Sequence, residues 1–325
     1  MGAALAFLGV DRCMPLMHGA QGCTSFTKVY LTRHCAEPIA IQTTAVTDIT
    51  AILDGGDAGI VEAVKNITAK VAPDLIGLHT TGLTETKGDD IRGVASKIDF
   101  PLVWVNTPDT EGGLESGWAL AVRAMIEQLV EPTEGIDDDQ VLLLPHVSLT
   151  PIEVEKIKDF IAGFGFEVLA LPDLATSLDG HLGEKQSALS GGGIAVEQIR
   201  GLGKTSLILS VGESMQACAR ALVKKNPFIR HVHFPHLRGL EATDALADVL
   251  LKETGRDLPP SPVIRWRKRL QDAMLDSHFS LGQTRFLVAG EPDQIAGLCR
   301  ILADAGGKVA VAISPVDSPQ LKTIP

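Results

Sequence analysis

The sequence predicts an α/β protein of two or three parallel-sheet units covered by helices, and three observations carry that prediction. The chain has 325 residues, too many for one small core and enough to bury several packed units without help from metals or disulfides. Leucine-rich or β-branched runs recur along it: DLIGLH (74–79), PLVWVN (101–106), VLLLPH (141–146), EVLALP (167–172), SLILSV (206–211), RFLVAG (285–290) and KVAVAI (308–313). Uniformly apolar strands are those buried on both faces of a parallel sheet. Between them a 3.6-residue period marks Ile157, Phe160, Ile161 and Phe164, and again Ile295, Leu298, Cys299 and Leu302, which predicts crossover helices.

The opening stretch GAALAFLGV is apolar but short, and no basic residue precedes it. It therefore reads neither as a signal peptide nor as a membrane span, and Ala6 stands where myristoylation needs Ser or Thr. A cytoplasmic protein is expected, and its five cysteines, without a CxxC pair, read as reduced thiols. HGAQGCTSF (18–26) reads as a loop holding a lone cysteine. The acidic stretch EPTEGIDDDQ (131–140) reads as a linker, which places a first unit at residues 1–138 and a second at 139–260. The triple glycine Gly191 to Gly193 follows no predicted strand and reads as a flexible lead-in to a helix rather than an anion cradle.

GRDLPPSPV (255–263) marks a second break. The helix after it carries Trp266, Leu270, Ala273 and Met274 on one side and the run RWRKR (265–269) as a solvated face. Residues 261–325 hold that helix and one strand–helix–strand segment, too little to cover both faces of a parallel sheet. The third unit thus reads as incomplete, and the chain expressed alone is expected to be poorly soluble, because apolar strand edges and faces lie uncovered. A monodisperse monomer that melts cooperatively would contradict that expectation.

Chemistry is first narrowed by exclusion. The net charge is -11 with a single basic run, which argues against a nucleic-acid or anionic membrane surface. GxxxxGK[ST], GxGxxG after a strand, HExxH and GxSxG are absent from the sequence, so the commonest nucleotide, zinc and serine-hydrolase readings fall away, and no catalytic residue is singled out. Cys218 and Cys299 lie in helical patterns, Cys13 precedes MPL in a buried-looking turn, and Cys35 ends a helix; all four read as packing residues. Asp89 and Asp90 follow Gly88 ahead of IRGVASKI and read as helix-capping carboxylates rather than acid–base groups. Cys23 differs, because Gly19 and Gly22 strip bulk from its surroundings and let backbone N–H groups approach sulfur. Spacing leaves it open whether this thiol is a nucleophile, a metal ligand or half of a disulfide.

GAALAFLGVDRCMPLMHGAQGCTSF, RHCAEPIAIQTTAVTDITAILDGG, HTTGLTETKGDD and VNTPDTEGGLESGW, in that order, resemble the nitrogenase component 1 family. LPDLATSLDGHLG, GGGIAVEQIRGLG and RLQDAMLDSHF are similar to the cofactor-assembly scaffold branch of that family, and the likeness runs the whole length. The resemblance implies repeated Rossmann-like parallel-sheet domains with the third incomplete, and a chain truncated at both ends, before Gly2 and after Pro325. In catalytic relatives each subunit gives three cysteines to an iron–sulfur cluster at the subunit interface. The first of these positions is at or beyond Met1, the second is Cys23, and the third aligns with Gly82. A single thiolate fits a scaffold subunit that shares a [4Fe–4S] cluster with a NifE-like partner in a heterotetramer, with Cys23 as metal ligand, His18 and Gly22 as cofactor-binding residues and Gln21 beside them. The resemblance also implies a transient iron–molybdenum cofactor precursor on the complex and transient docking of the nitrogenase iron protein; Ile52 and Leu53, before Gly55, fall where relatives dock it, and a core role for this apolar pair is the equal alternative. Two other functions compete: a catalytic subunit of a nitrogenase-like reductase, either nitrogenase, against which Gly82 speaks, or a tetrapyrrole-ring reductase; and an α/β small-molecule-binding protein that reuses the fold.

Overall fold

The computed structural model describes residues 1–35, 39–46, 56–181 and 187–324. Ten strands among them form three parallel sheets. The first sheet holds β1 (Cys13–His18), β2 (Gln42–Thr43), β3 (Leu75–Thr80) and β4 (Leu102–Val105) in the order β2-β1-β3-β4. Helix α1 (Gly2–Leu8) is buried along its whole length, so the apolar opening stretch is a core helix. After it come α2 (Gln21–His34), α3 (Asp57–Lys70), α4 (Gly82–Lys87), α5 (Ile91–Ala95) and α6 (Leu114–Leu129). Strand alternation sends Ile76 and Leu78 to one face of the sheet, where Ile60, Val64 and Ile67 of α3 cover them. Leu75, Val103 and Val105 face the other way, onto α1 and α6.

The second sheet, ordered β6-β5-β7-β8, holds β5 (Asp137–Leu144), β6 (Glu167–Ala170), β7 (Thr205–Val211) and β8 (Arg230–Phe234). Its helices are α7 (Pro151–Ala162), α8 (Val196–Gly201), α9 (Gln216–Lys225) and α10 (Leu240–Thr254). A reciprocal cap starts α7: the Glu153 carboxylate accepts from the Thr150 N–H at 2.8 Å while the Thr150 hydroxyl accepts from the Glu153 N–H at 3.4 Å. Val141, Leu143, Leu207 and Leu209 pack under α7 and α10, whereas Leu142, Leu144 and Ile208 join the α1 and α6 core. Trp118 of α6 is fully buried in that shared core, and its Nε1–H donates to the Pro145 carbonyl at 2.9 Å. A single apolar cluster thereby joins the first two sheets.

Several expectations are corrected. Cys13 opens strand β1 rather than lying in a turn. Pro15 hid the strand, since proline in a central strand removes a ladder donor; here β2 joins β1 only at Leu16 and Met17, beyond the proline. The DDDQ of the supposed linker is the start of β5, with Gln140 paired to Glu167; Asp137, Asp138 and Asp139 are exposed, so an acidic strand end imitates a loop. The triple glycine is no flexible lead-in. Gly193, at φ +91°, donates to Thr176 Oγ1 at 2.8 Å, and a Cβ there would stand 2.6 Å from the Gly9 carbonyl. Ile194 then bridges Val10, so the glycines permit a tight backbone crossing.

Beyond α11 (Ser261–Leu281), the pair β9 (Arg285–Ala289) and β10 (Lys308–Ile313) forms the third sheet around α12 (Pro292–Asp304). On α11, Trp266, Leu270 and Met274 are half-buried but Ala273 is exposed. Leu287, Val311 and Ile313 are 65%, 47% and 50% exposed, so apolar side chains of both strands meet solvent. Asp293 ties α12 to the second sheet: its carboxylate accepts from the Glu213 N–H at 2.8 Å and the Ser214 hydroxyl at 2.6 Å. The Asp293 N–H donates to the Glu115 carboxyl at 3.1 Å. Burial, and the Asp293 charge after it, push Glu115 up to about 8, and burial raises Asp293 too.

That cluster sets a pH dependence. Folded Glu115 keeps its proton where the unfolded chain, at 4.5, has lost it, so its contribution is greatest below 4.5 and falls as pH rises toward about 8. Glu115→Gln should flatten the stability profile over that window. Parallel urea-melt profiles of wild type and variant would contradict this assignment.

Candidate functional site

β1 ends at His18, and after Gly19 the chain turns directly into α2. Ala20 is extended at the N-cap without a side-chain cap, which is why HGAQGC looked like a loop. Cys23 is the third residue of the helix, in the first turn, where free N–H groups and the helix dipole present partial positive charge. Its thiol is exposed, whereas Cys13, Cys218 and Cys299 are buried and Cys35 is partly so. Burial pushes Cys218 up to about 12 and raises Cys13, Cys35 and Cys299 as well. These four are inert packing thiols and only Cys23 is presented outward.

Cys23 lines a cavity of about 480 Å³ together with Met17, Thr27, His79, Thr81 and Asp109. His79 and Thr81 lie at the carboxyl end of β3 and Asp109 follows β4, so three parallel strands deliver their ends to one hollow. Sequence reasoning missed His79, whose only signal was a polar residue closing an apolar run. Its Nδ1 lies 3.2 Å from the Gly77 carbonyl, which can only accept, so the ring proton sits on Nδ1. Nε2 is then a bare lone pair, buried and without a hydrogen-bond partner. Burial pushes the ring down to about 3, keeping it neutral.

Gly82 begins α4, and its N–H donates to Asp109 Oδ2 at 2.8 Å. A Cβ at position 82 would stand 2.8 Å from that same oxygen, so the carboxylate fills the place a longer residue would take. Gly22, beside Cys23, has open space where a Cβ would be. His18 is fully buried and both ring nitrogens are engaged, Nδ1 with Thr44 Oγ1 and Nε2 with Asp89 Oδ2, each at 2.9 Å. Burial lowers its pKa in spite of Asp89. The neutral ring donates from Nε2 to the carboxylate and accepts from Thr44. Of the predicted residues, Cys23 lines the cavity, Gly22 adjoins it, and His18 anchors the strand end beneath. Ile52 and Leu53 lie outside the described residues.

The two aspartates divide their tasks. Asp90 caps α5, accepting from the Gly93 N–H at 2.9 Å. Asp89 is no cap; it also accepts from the Gly56 N–H at 3.3 Å and lies 3.5 Å from the Lys87 ammonium. Asp90→Ala should cost about 1 kcal/mol, and Asp89→Ala about 2–3 kcal/mol, because it strands a buried imidazole and a backbone donor. Equal melting shifts in the two variants would count against this division.

No group of three His, Cys, Asp or Glu side chains placed to hold a metal ion occurs among the described residues. No helix among them is long and apolar enough to cross a membrane. Among the described residues, the exposed thiol of Cys23 and the buried imidazole of His79 line the same cavity.

Comparison with known proteins gives consistent matches. Residues 1–324 match the family described as Nitrogenase component 1 type Oxidoreductase. The chain is 39% identical to the nitrogenase iron-molybdenum cofactor biosynthesis protein NifN of Rippkaea orientalis, with 100% of this chain and 76% of that protein covered. It is 38% identical to NifN of Nostoc sp., over 100% of this chain and 74% of the relative, and 34% identical to NifN of Klebsiella pneumoniae, over 100% and 72%. Among solved structures, a chain of nitrogenase Cp1 at pH 6.5 superposes with a TM-score of 0.93 at 29% identity, covering 99% of this chain and 72% of that one. The parallel-sheet architecture expected from the sequence is thus also the architecture of that neighbour.

Proposed function

The chain belongs to the nitrogenase component 1 type oxidoreductase family, and we propose that it is a non-catalytic scaffold subunit in iron–molybdenum cofactor biosynthesis, the process that its NifN relatives carry in their name. It pairs with a NifE-like subunit in a heterotetramer in the cytoplasm, and Cys23 gives one thiolate to a [4Fe–4S] cluster between the two. The observation that carries this reading is the one exposed thiol at the cavity; Gly82, which the family resemblance aligns with a cysteine of the catalytic subunits, supplies no second thiol, and the Asp109 carboxylate occupies the space beside it. When bound, such a cluster supplies one-electron storage near the assembly site.

The chain's own residues prepare that site. Cys23 would hold the cluster from the first turn of α2, whose N–H groups favour an anionic thiolate–sulfide core. Gly22 leaves room for the partner's backbone. His18 and Asp89 hold the end of β1, from which α2 departs, so the thiol is presented in one direction. The cofactor precursor rests on the complex transiently, and the nitrogenase iron protein docks on it transiently. Anaerobic co-expression with a NifE-like subunit tests the pairing. Co-purification of an equimolar complex is the expected result, and failure of any NifE-like subunit to associate would overturn it.

A further inference from the structure

A second cavity, of about 490 Å³, opens between α7, α10 and α11 at the carboxyl end of the second sheet. His146 and His236, which follow β5 and β8, stand in its lining. The crevice outside the carboxyl ends of parallel strands is where open α/β sheets take ligands. Leu149, Ile157, Leu246 and Leu270 supply apolar lining, beside Phe160 and Trp266, whose near-parallel rings are inclined at 24° with centroids 6.3 Å apart.

The polar lining has an unusual sign for a chain of net charge -11. Lys156, Arg238, Arg267 and Arg269 face one carboxylate, Glu153. Arg238 pairs with Glu153 at 3.0 Å, Arg267 with Asp244 at 2.7 Å, and Lys156 with Glu155 and Asp159. Arg269 has no acidic partner among the described residues. Both histidines are fixed in one tautomer: His146 Nδ1 accepts from the Ser148 N–H and His236 Nδ1 from the Arg238 N–H, each at 3.3 Å. Each ring therefore carries its proton on Nε2 as a donor. Burial pushes His146 down to about 3 and lowers His236, so both are neutral donors beside a cation.

We propose that this cavity binds a small organic anion with a flat apolar body, of the aromatic carboxylate class. The body lies against Phe160 and Trp266, and the carboxylate meets Arg238, Arg269 and the imidazole N–H groups. A planar carboxylate matches a guanidinium fork. Inorganic phosphate suits the site less, because the nearby N-terminus of α7 is already capped by its own Glu153.

Isothermal titration and saturation-transfer NMR on the full chain, with naphthalene-2-carboxylate, naphthalene-2-methanol and inorganic phosphate as probes, test this. The carboxylate should bind, the neutral alcohol about tenfold more weakly, and phosphate at least as weakly as the alcohol. Arg269→Gln, which breaks no ion pair, and Arg238→Gln should each lower carboxylate affinity about threefold or more. Absence of carboxylate binding, equal affinity for the alcohol, phosphate binding as tight as the carboxylate, or unchanged affinity in both arginine variants would overturn the proposal. The comparison of probes on the wild-type chain stands even if a variant misfolds.

Discussion

In a Cys23→Ala chain assembled with its partner, the fold is retained and the cluster signal is reduced or altered. Cys23 is exposed in the first turn of a helix and buries no core contact, so its removal leaves the apolar clusters untouched and stability should move by less than about 0.5 kcal/mol. The effect falls on the metal instead. Under the proposed pairing, three thiolates from the partner would leave one iron open to water or another ligand, which would lower occupancy or change the paramagnetic spectrum. Serine at Cys13, Cys35, Cys218 or Cys299 should leave the spectrum as in wild type, since those thiols pack inside or at a helix end. A wild-type spectrum and iron content in Cys23→Ala would refute the ligand assignment, and so would loss of the cluster in any of the four serine variants that remains folded.

The largest stability effect is expected at Trp118. Its ring is fully enclosed in the core shared by α1, α6 and the first two sheets, and its indole N–H satisfies the Pro145 carbonyl at the end of β5. Trp118→Ala should cost about 3–5 kcal/mol from lost contacts and the cavity left behind, a large part of the whole stability of a typical domain. Trp118→Phe keeps most of the apolar surface but leaves the carbonyl unpaired, and about 1–2 kcal/mol is expected. Urea unfolding checks both. An alanine variant within about 1 kcal/mol of wild type would mean that the two sheets do not share one core.

The parallel-sheet character was legible because strands buried on both faces are apolar throughout, as LIGLH in β3 and LILSV in β7 are. What stayed hidden depended on distant neighbours. Pro15 is tolerated in β1 only because β2 joins beyond it, and no local pattern announces that. RHVHF of β8 reads as polar, yet His231 and His233 turn toward the buried Ser210 hydroxyl at 2.8 and 3.0 Å. Cys23 could be picked out among five cysteines from its glycine neighbours, but its place on a helix could not, because Ala20 provides no cap. His79 was missed altogether: its bare Nε2 is a product of the Gly77 carbonyl and the surrounding burial. Asp89 resembled its neighbour Asp90 in sequence, and only the fold carries His18, 71 residues away, to its side.

The central claim is that this chain gives one thiolate to a cluster it cannot hold alone. Anaerobic purification of the chain by itself and in complex with a NifE-like subunit, with iron determination and electron paramagnetic resonance on both, tests it most directly. The account predicts no stoichiometric iron in the isolated chain and a [4Fe–4S] signal in the complex that changes with Cys23→Ala. A stoichiometric cluster on the isolated folded chain, or an iron-free complex, would contradict it.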